Sequence, residues 1–465
     1  MAGGSRPLER VDRERLLHPF TSIPEHLEGG PRIIRKADGI RIWDDQGREL
    51  IDAMAGLWCV NVGYGRAELA RALHDQSLAL PYAHSFMSNS NEAAIRLADR
   101  LVAGAPGSLS KVFFCNSGSE ANETNVKLVW YYQNLRGRPE KKKIIARTGA
   151  YHGVTLGAAS MTGLPLLHAA FDLPLPGFLH TGKPHFRREA REAESERAFS
   201  ERLAEDLDAL IRAEGPDTVG AFIAEPVMAA GGVVPPPDGY FEAIVPVLEA
   251  HDVLLIADEV VCGFGRLGRD YGSRVYDLEP DLMTLAKGLT SAYFPVSASL
   301  ISERIWEVLR SQSAPLGPFG HGHTTTAHPV GAAVALANLD ILEREKLVDR
   351  AARVGTHLQA RLRERLGDHP LVYEVRGMGM IAGVELAPDP GDRRSTFDPS
   401  LGVGRRLADL LLEEGLVCRP IGNTLAFSPP LVSVESDVDE MVERFCRGLE
   451  RLADQLESEG LLAKG

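Results

Sequence analysis

The centre of the chain alternates short apolar runs with longer segments whose apolar residues recur at helical spacing. The runs predict β-strands and the segments between them predict helices, a pattern typical of an α/β fold around a mostly parallel sheet. The predicted strands are Lys111–Phe114, Lys143–Arg147, Val219–Ala224, Val253–Ala257 and Leu282–Leu285. Polar motifs follow the carboxyl ends of these strands, where an open α/β sheet places its ligand.

Two helices flank these strands in the prediction. One covers Ala121–Tyr132, directly after a small-residue turn. The other covers Phe199–Ile211 and follows the charged segment Arg187–Arg197. We interpret that segment as a solvated loop leading into a surface helix.

The pattern changes after about residue 330. Ala332–Leu342 predicts a long apolar helix, and Val372–Leu386 predicts strands joined by a glycine turn at Arg376–Gly379. This α+β pattern indicates a second, smaller domain, completed by N-terminal residues that include a hairpin at Ile40–Ile51. We therefore expect residues 1–75 to form an N-terminal segment and part of the small domain, 76–330 the large cofactor-binding domain, and 331–465 the rest of the small domain.

Bulk composition favours a globular protein that acts on small molecules. Of the 465 residues, 44% are hydrophobic, which is enough for two or three domains with a large core. The net charge of −13 argues against a nucleic-acid partner, because neutralising phosphates requires clustered Lys and Arg. No apolar run reaches the ~18 residues of a membrane span. The start, Met1–Arg10, is polar, so we expect no membrane partner and a cytoplasmic location.

Several patterns exclude other chemistries. The five cysteines are scattered and lack Cys-x-x-Cys spacing, so they predict neither a disulfide framework nor a zinc site. The pair His321 and His323 has no third ligand nearby, and we expect no metal there. Gly263–Gly268 fits the dinucleotide pattern G-x-G-x-x-G, but no apolar-periodic helix follows it and no acid stands about twenty residues on. The G-x-S-x-G motif of many hydrolases is absent.

Lys287 carries the strongest chemical signal. It follows an apolar strand and precedes a glycine, a position that desolvates the ammonium, lowers its pKa and makes the amine a nucleophile toward carbonyls. Asp258 follows the preceding predicted strand. Adjacent side chains on a strand point in opposite directions, so only one of Asp258 and Glu259 faces the pocket, and we choose Asp258. A Schiff-base lysine and an acidic partner for the pyridinium nitrogen are the minimal requirement of a pyridoxal phosphate (PLP) enzyme.

Other motifs at the same sheet edge fit this cofactor. Ser117, Gly118 and Ser119 begin a helix, where backbone N–H groups and the helix dipole favour a phosphate. An aromatic face at Tyr151 is placed to stack on a flat ring, and Glu225 ends a strand with a carboxylate that must be paired or functional. The plainer interpretations are a serine N-cap at Ser117 and a core aromatic at Tyr151. The predicted cofactor-binding residues are Ser117, Gly118, Ser119, Tyr151, His152, Glu225, Asp258, Val260 and Lys287.

In its ordered motifs the chain resembles the class III aminotransferases, the ω-amino acid:pyruvate transaminases of the fold-type I PLP enzymes. The resemblance covers nearly the whole chain, from His18–Phe20 to Pro429–Leu431, and is closest to the diamine and ω-amine:pyruvate branch. It implies a large domain with a mostly parallel seven-stranded sheet and a smaller α+β domain built from both termini. The motifs that carry it are Ala55–Arg66, Asn116–Glu120, Phe222–Pro226, Ile256–Val260 and Thr284–Thr290.

The resemblance also implies roles for the cofactor-binding residues. Lys287 forms the Schiff base and shuttles the proton, while Asp258 contacts the ring nitrogen; these two are the predicted catalytic residues. Tyr151 and Val260 enclose the ring. The phosphate is held by Ser117 to Ser119 and by a threonine of the neighbouring subunit, whose place Thr324 occupies. Catalysis then requires a homodimer, with further association to a tetramer possible.

For substrates, the resemblance implies a pocket lined by Phe20, Trp58, Phe86 and Tyr151. Arg419 matches a mobile arginine that pairs bidentately with an α-carboxylate and swings out for an uncharged side chain. The plainer interpretation of Arg419 is an ordinary surface ion pair, which contributes little energy. The chain departs from its relatives at Ala83, Met87 and Thr325, which stand where aromatic residues are common, and these changes leave the substrate open.

These observations predict a transaminase that moves an amino group from a primary amine, diamine or ω-amino acid to pyruvate or another keto acid in two half-reactions. Two alternatives remain. The same fold and cofactor also support decarboxylases and aminomutases, and a non-catalytic PLP-binding protein would retain some of these motifs. The donor amine and the preferred keto acid are not readable from the sequence.

Overall fold

A seven-stranded sheet forms the centre of the fold in the computed structural model, which describes residues 7–462. Residues 1–6, the first part of the polar start used in the location prediction, lie outside the described residues. The strands are Ile34–Asp38 (β1), Arg41–Asp44 (β2), Glu49–Asp52 (β3), Leu109–Cys115 (β4), Lys143–Arg147 (β5), Phe178–Thr181 (β6), Val219–Ala224 (β7), Leu254–Asp258 (β8), Leu282–Leu285 (β9), Ser297–Ser302 (β10), Val372–Met378 (β11), Ile381–Leu386 (β12), Leu416–Val417 (β13), Arg419–Ile421 (β14) and Thr424–Phe427 (β15).

Helices surround this sheet and connect its strands. The α-helices are Leu8–Arg15 (α1), Ile23–Gly29 (α2), Ala55–Trp58 (α3), Ala67–Ala79 (α4), Glu92–Gly104 (α5), Gly118–Leu135 (α6), Leu156–Met161 (α7), Phe186–Glu189 (α8), Glu196–Glu214 (α9), Tyr240–Ala250 (α10), Glu303–Gln312 (α11), Pro329–Arg344 (α12), Leu347–Leu366 (α13), Val403–Glu413 (α14) and Glu435–Ser458 (α15). Short 3-10 turns occur at Phe86–Ser88, Pro165–Leu167, Gly272–Val275, Lys287–Leu289, Ala314–Leu316 and Pro399–Leu401. Among the helices of residues 7–462, none combines the length and apolarity needed to cross a lipid bilayer.

The central sheet has the strand order β4-β10-β9-β8-β7-β5-β6. β10 runs antiparallel to β4 and β9, whereas the pairs from β9 through β8, β7 and β5 to β6 are parallel. The predicted mostly parallel, seven-stranded sheet is therefore confirmed.

Both faces of this sheet are covered by helices. Ile144 and Ile256 pack in one core with residues of α6, α7 and α11, whereas Ile145 and Leu255 pack in another with residues of α9 and α10. Neighbouring strand residues point to opposite faces, so burial of both faces makes every position of β7 apolar or small. This double burial explains why the strands were readable as continuous apolar runs.

Two smaller sheets lie beside the central one, and the first of them, β1-β2-β3-β13, joins strands from both ends of the chain. The hairpin predicted at Ile40–Ile51 is present as β2 and β3, and β3 pairs in parallel with β13, with Leu416 opposite Ile51. The second sheet, β11-β12-β15-β14, is antiparallel throughout. The boundaries at residues 75 and 330 stay predictions.

Some elements differ from the predictions. β6 and β10 were missed; β10 reads Ser-Ala-Ser-Leu-Ile-Ser, and its serines hide a strand that is buried at every position. The turn between β11 and β12 lies at Gly379–Met380, later than predicted. The solvated-loop interpretation is wrong for the start of the charged segment, because the guanidinium carbon of Arg188 lies 3.5 Å from the ring centroid of Tyr373.

Candidate active site

The carboxyl ends of the parallel strands open into a cavity of about 650 Å³. The predicted site residues that line it are Phe20, Trp58, Ser117, Gly118, Ser119, Tyr151, His152, Glu225, Asp258, Val260, Lys287 and Arg419. Phe86 and Thr324 are not among its lining residues and lie on exposed segments of the same chain. One cavity thus gathers residues that are separated by up to about 400 positions in the sequence.

Lys287 begins the turn that follows β9, and its backbone has a φ of 44° in the left-handed region. Burial lowers the pKa of the Lys287 amine, although the nearby carboxylate of Asp258 acts in the opposite direction. A lowered pKa increases the fraction of neutral, nucleophilic amine. Glycine is needed next, because a Cβ at Gly288 would lie 2.5 Å from Nδ2 of Asn61.

Asp258 is held by three donors at the end of β8. Its Oδ2 accepts hydrogen bonds from Nδ2 of Asn122 and Nδ1 of His152, both at 2.8 Å, and its Oδ1 accepts from the backbone N–H of Val260 at 3.1 Å. Nδ1 of His152 donates to Asp258, and the buried Nε2 of His152 has no partner among the described residues. The carboxylate therefore has a fixed orientation at the cavity wall.

A polar network behind Asp258 was missed by sequence reasoning. Asn122 also donates to the carbonyl of His152 at 2.7 Å and accepts from Oγ1 of Thr284 at 2.6 Å, and Asn125 donates to the same Thr284 oxygen at 2.7 Å. All three side chains are fully buried. The sequence signal that could have revealed this network is a pair of asparagines three residues apart on the sheet-facing side of a helix. Buried amides need hydrogen-bond partners, so such a pair indicates a buried polar network.

The start of α6 presents a capped helix terminus to the cavity. Ser117 is the N-cap, with its Oγ accepting from the N–H of Glu120 at 3.2 Å, so the plainer interpretation of this serine is correct as far as it goes. The first turn of a helix still leaves N–H groups without intrahelical partners, and these favour an anion. Gly118 permits close approach, because a Cβ there would lie 3.1 Å from Val260.

The two other carboxylates near the strand ends differ in orientation. Glu225 lines the cavity and accepts from the N–H groups of Tyr151 at 3.2 Å and Ala229 at 3.0 Å, and burial raises the pKa of its carboxyl. Glu259 points away and accepts from Gly272 at 2.8 Å and from the hydroxyl of Ser273 at 2.6 Å. The alternation expected for Asp258 and Glu259 is thus present.

Arg419 lies over the ring of Trp58, with its guanidinium carbon 4.8 Å from the ring centroid. Burial lowers the pKa of Arg419, and no carboxylate of residues 7–462 forms an ion pair with it. The interpretation as an ordinary surface ion pair is therefore wrong. Trp58 is 2% exposed, and the loop before it is held by Asp52, whose carboxylate accepts from Met54 at 3.1 Å and Gly56 at 2.7 Å.

The segment that carries Thr324 packs beside the first half of α6. Its His321 lies 2.9 Å from both Oγ1 of Thr124 and Nζ of Lys127. Thr325, one of the departures, donates to Oδ1 of Asn116 at 2.7 Å, and Asn116 lines the cavity. The segment is thus anchored next to the predicted phosphate site.

Comparison with known proteins identifies the family. The model of the class-III aminotransferases matches residues 25–449. The chain belongs to this family. The aminotransferase is 48% identical over 460 residues to the diaminobutyrate–2-oxoglutarate transaminase of Halomonas elongata, covering 97% of this chain and 98% of the relative. It is 45% identical over 450 residues to the gamma aminobutyrate transaminase 1 of Solanum lycopersicum, covering 96% and 87%.

A solved structure shows the same fold. The omega transaminase from Pseudomonas jessenii in complex with PMP superposes with a TM-score of 0.95 at 47% identity, covering 97% of this chain and 99% of the other. The aminotransferase is accordingly a PLP-dependent enzyme that transfers amino groups from amines to keto acids.

The residues of the cavity fit this cofactor. Gly153 has a φ of 135°, and a Cβ there would lie 2.5 Å from Oγ of Ser119, so this loop approaches the start of α6 as closely as a glycine allows. Together with Gly118, it keeps space beside a helix terminus suited to a phosphate. The desolvated amine of Lys287 and the fixed carboxylate of Asp258 supply the other two groups that the cofactor requires.

Proposed function

We propose that Lys287 is the residue to which the cofactor is attached at rest and the one that moves the proton during amino transfer. Bound PLP supplies an aldehyde that accepts the amine and a ring that stabilises negative charge on the reacting carbon. Once a donor amine has released it, the Nζ of Lys287 takes the proton from the donor carbon. Its lowered pKa supports this role, because a base works best when its pKa lies near the operating pH.

The remaining cavity residues hold the cofactor in this proposal. The N–H groups at Gly118 and Ser119 bind the phosphate, Asp258 keeps the ring nitrogen protonated, and Tyr151 and Val260 flank the ring. The support for Asp258 is its triple hydrogen bonding, which fixes the carboxylate before any ligand arrives. A preorganised group of this kind needs no rearrangement during the reaction.

The observation that carries the substrate proposal is the unpaired guanidinium of Arg419. Arg419 is half-buried, and a partly desolvated charge without a partner carries a cost that a ligand of opposite charge offsets. We propose that Arg419 binds the α-carboxylate of the keto acid through bidentate hydrogen bonds. When the donor is an amine that carries no carboxylate next to the reacting carbon, we expect the Arg419 side chain to swing out from its position on Trp58.

The relatives narrow the donor class. They are named for diaminobutyrate with 2-oxoglutarate and for gamma aminobutyrate, and each of these donors carries an amine that is separated from its carboxylate by several carbons. We propose that this aminotransferase likewise takes a primary amine, diamine or ω-amino acid as donor and pyruvate or another keto acid as acceptor. An absolute need for stoichiometric keto acid separates this activity from decarboxylation or amino-group migration.

The test compares the two half-reactions in single turnover. Arg419→Ala should slow the keto-acid half-reaction by about ten- to a hundredfold, the value of a charge-assisted contact of ~1.5–3 kcal/mol. The half-reaction with a carboxylate-free amine should keep its rate. Arg405→Ala is the matched control, since Arg405 is 66% exposed and pairs with Asp409 on a surface helix. Equal losses in both half-reactions would make Arg419 a structural residue and contradict the proposal.

We also propose that the active unit is a homodimer. Thr324 and Phe86 are exposed and absent from the cavity of their own chain, which supports a role across a subunit interface. We propose that residues 1–75 contribute to the small domain together with residues 331–465, beside a large domain of residues 76–330, and the pairing of β3 with β13 supports this division. A cytoplasmic location rests on the sequence alone and stays a prediction.

A further inference from the structure

Asp12, His18 and His26 form a cluster near the N-terminal end of the described chain. Asp12 lies on α1, His26 on α2, and His18 in the loop between these helices. The Nε2 atoms of His18 and His26 lie 2.9 and 3.0 Å from the same oxygen, Oδ1 of Asp12. All three ligand atoms lie within 4.8 Å of one another, so two imidazole nitrogens and one carboxylate oxygen converge on a single point.

His26 separates this cluster from an ordinary histidine–aspartate pair. His18 makes hydrogen bonds to both carboxylate oxygens of Asp12, at 2.9 and 3.1 Å. The side chain of His26 is only 10% exposed, and its buried Nε2 lies 3.0 Å from Oδ1 of Asp12 without the alignment of a hydrogen bond and with no other hydrogen-bond partner among the described residues. Buried ring nitrogens in native proteins nearly always make a hydrogen bond, so this close but misaligned Nε2 requires an explanation.

We propose that Asp12, His18 and His26 bind a divalent transition cation of the zinc class. Two histidine nitrogens and one carboxylate oxygen are three ligands that Zn²⁺ accepts, with water at the fourth position. Arg10 on α1 is neutralised by Glu14, but Arg13 and Arg15 line the small cavity beside the cluster. Their positive charge weakens cation binding, so we expect moderate affinity rather than a permanently occupied site.

The other cluster with metal-ligand geometry among residues 7–462 behaves differently. It consists of His185, Glu374 and Glu385. Arg376 pairs with both of its carboxylates, so a protein cation already occupies the position that a metal would take. At Asp12 the structure describes no such arginine between the ligands, which is why we assign the site there.

A cation at this site would join α1 to α2 across the segment 16–22. That segment carries Phe20 into the amine-transfer cavity, with a φ of 51° in the left-handed region. Ordering of the segment by the cation would stabilise this strained conformation. The cation would thus position Phe20 from outside the cavity, a role that the proposed amino transfer does not require.

The experiment titrates the holoenzyme, freed of metal by a chelator, with Zn²⁺ in a calorimeter and with Co²⁺ by absorption spectroscopy. We expect one site per chain in the wild type. Asp12→Asn and His26→Gln should each weaken it by at least about tenfold, since even outer-sphere partners of a metal contribute about 10- to 100-fold. His74→Ala is the control, because His74 forms an exposed histidine–aspartate pair with Asp75.

Hydrogen exchange provides the second measurement. Zn²⁺ should slow exchange in residues 16–30 of the wild type and of His74→Ala, but not in the two ligand variants. Absence of binding to the wild type would overturn the proposal. So would equal affinity in the wild type and both ligand variants, or a comparable loss in His74→Ala, because the cation would then bind elsewhere.

Discussion

Asn122 offers the sharpest test of how the fold supports the site. It donates to Oδ2 of Asp258 at 2.8 Å and to the carbonyl of His152 at 2.7 Å, and accepts from Thr284 at 2.6 Å. A hydrogen bond to a charged group contributes about 1.5–3 kcal/mol and a neutral one about 0.5–1.5 kcal/mol. Asn122→Ala should therefore lower the free energy of unfolding by roughly 2.5–6 kcal/mol. Loss of the hydrogen bond to Asp258 alone should weaken cofactor binding by about ten- to a hundredfold.

Asn125→Ala is the matched control for this experiment. Both asparagines are fully buried on α6 and both contact Thr284, but Asn125 donates to Thr284 and accepts from Ser299, with no hydrogen bond to Asp258. Urea unfolding of the cofactor-free proteins should show substantial losses of stability in both variants. Dialysis of the holoenzymes, followed by absorbance, should show faster loss of cofactor in Asn122→Ala only. Equal loss of cofactor in both would refute the reasoning, because general loosening of α6 would then explain it.

Three further predictions concern other parts of the site. Lys287→Ala should abolish turnover and the amine-dependent bleaching of the yellow protein, and near-normal turnover would contradict its role. Thr324→Ala should weaken cofactor binding by a few-fold to a few tens-fold, equivalent to about 0.5–3 kcal/mol, and a fully active monomer in sedimentation would refute its action across subunits. Burial lowers the pKa of His321 from 6.5 to about 4, and the charges of Lys127 and His323 act in the same direction. As the pH falls, the unfolded chain therefore binds a proton at this histidine before the folded chain does. The stability that neutral His321 contributes is complete above pH 6.5 and is lost as the pH falls toward 4. His321→Asn should flatten part of the fall in the thermal midpoint across that window, and an unchanged pH profile would sink this prediction.

The sequence predicted most of the central sheet because its strands are buried on both faces. β5, β7 and β9 occur at the predicted bounds, since a doubly covered parallel strand must be apolar at nearly every position. β10 escaped because it is rich in buried serines, two of which are paired by hydrogen bonds to other chain segments: Ser297 donates to the carbonyl of Ser117 at 2.7 Å, and Ser299 donates to Asn125. Apolar periodicity is blind to a strand whose polar groups are satisfied only by the folded structure.

The candidate site likewise has a part that the sequence predicted and a part that it did not. Motifs beside strand ends located Lys287 and Asp258, because the chemistry needs those residue types at that edge. The asparagine network behind Asp258 remained hidden, since its meaning depends on contacts between α6 and two strands. The absence of an ion pair at Arg419 was likewise unreadable, because only the fold shows that Arg419 lies on Trp58 without an acidic partner among residues 7–462.

Backbone strain at this site explains why its geometry could not be predicted from local sequence rules. Phe20, Trp58 and Lys287 have φ angles of 51°, 62° and 44°, in a region that side chains other than glycine rarely adopt. Each such conformation costs about 1–3 kcal/mol and persists only where the surroundings enforce it. For Trp58 that enforcement comes from the hydrogen bonds of Asp52 to the preceding loop, and Lys287 is followed by a glycine that the close approach of Asn61 requires. Local propensity predicts ordinary backbone conformations for all three residues. The backbone conformations of Lys287 and of Trp58, the ring on which Arg419 lies, therefore arise from tertiary contacts. Such departures from local rules are expected at functional sites.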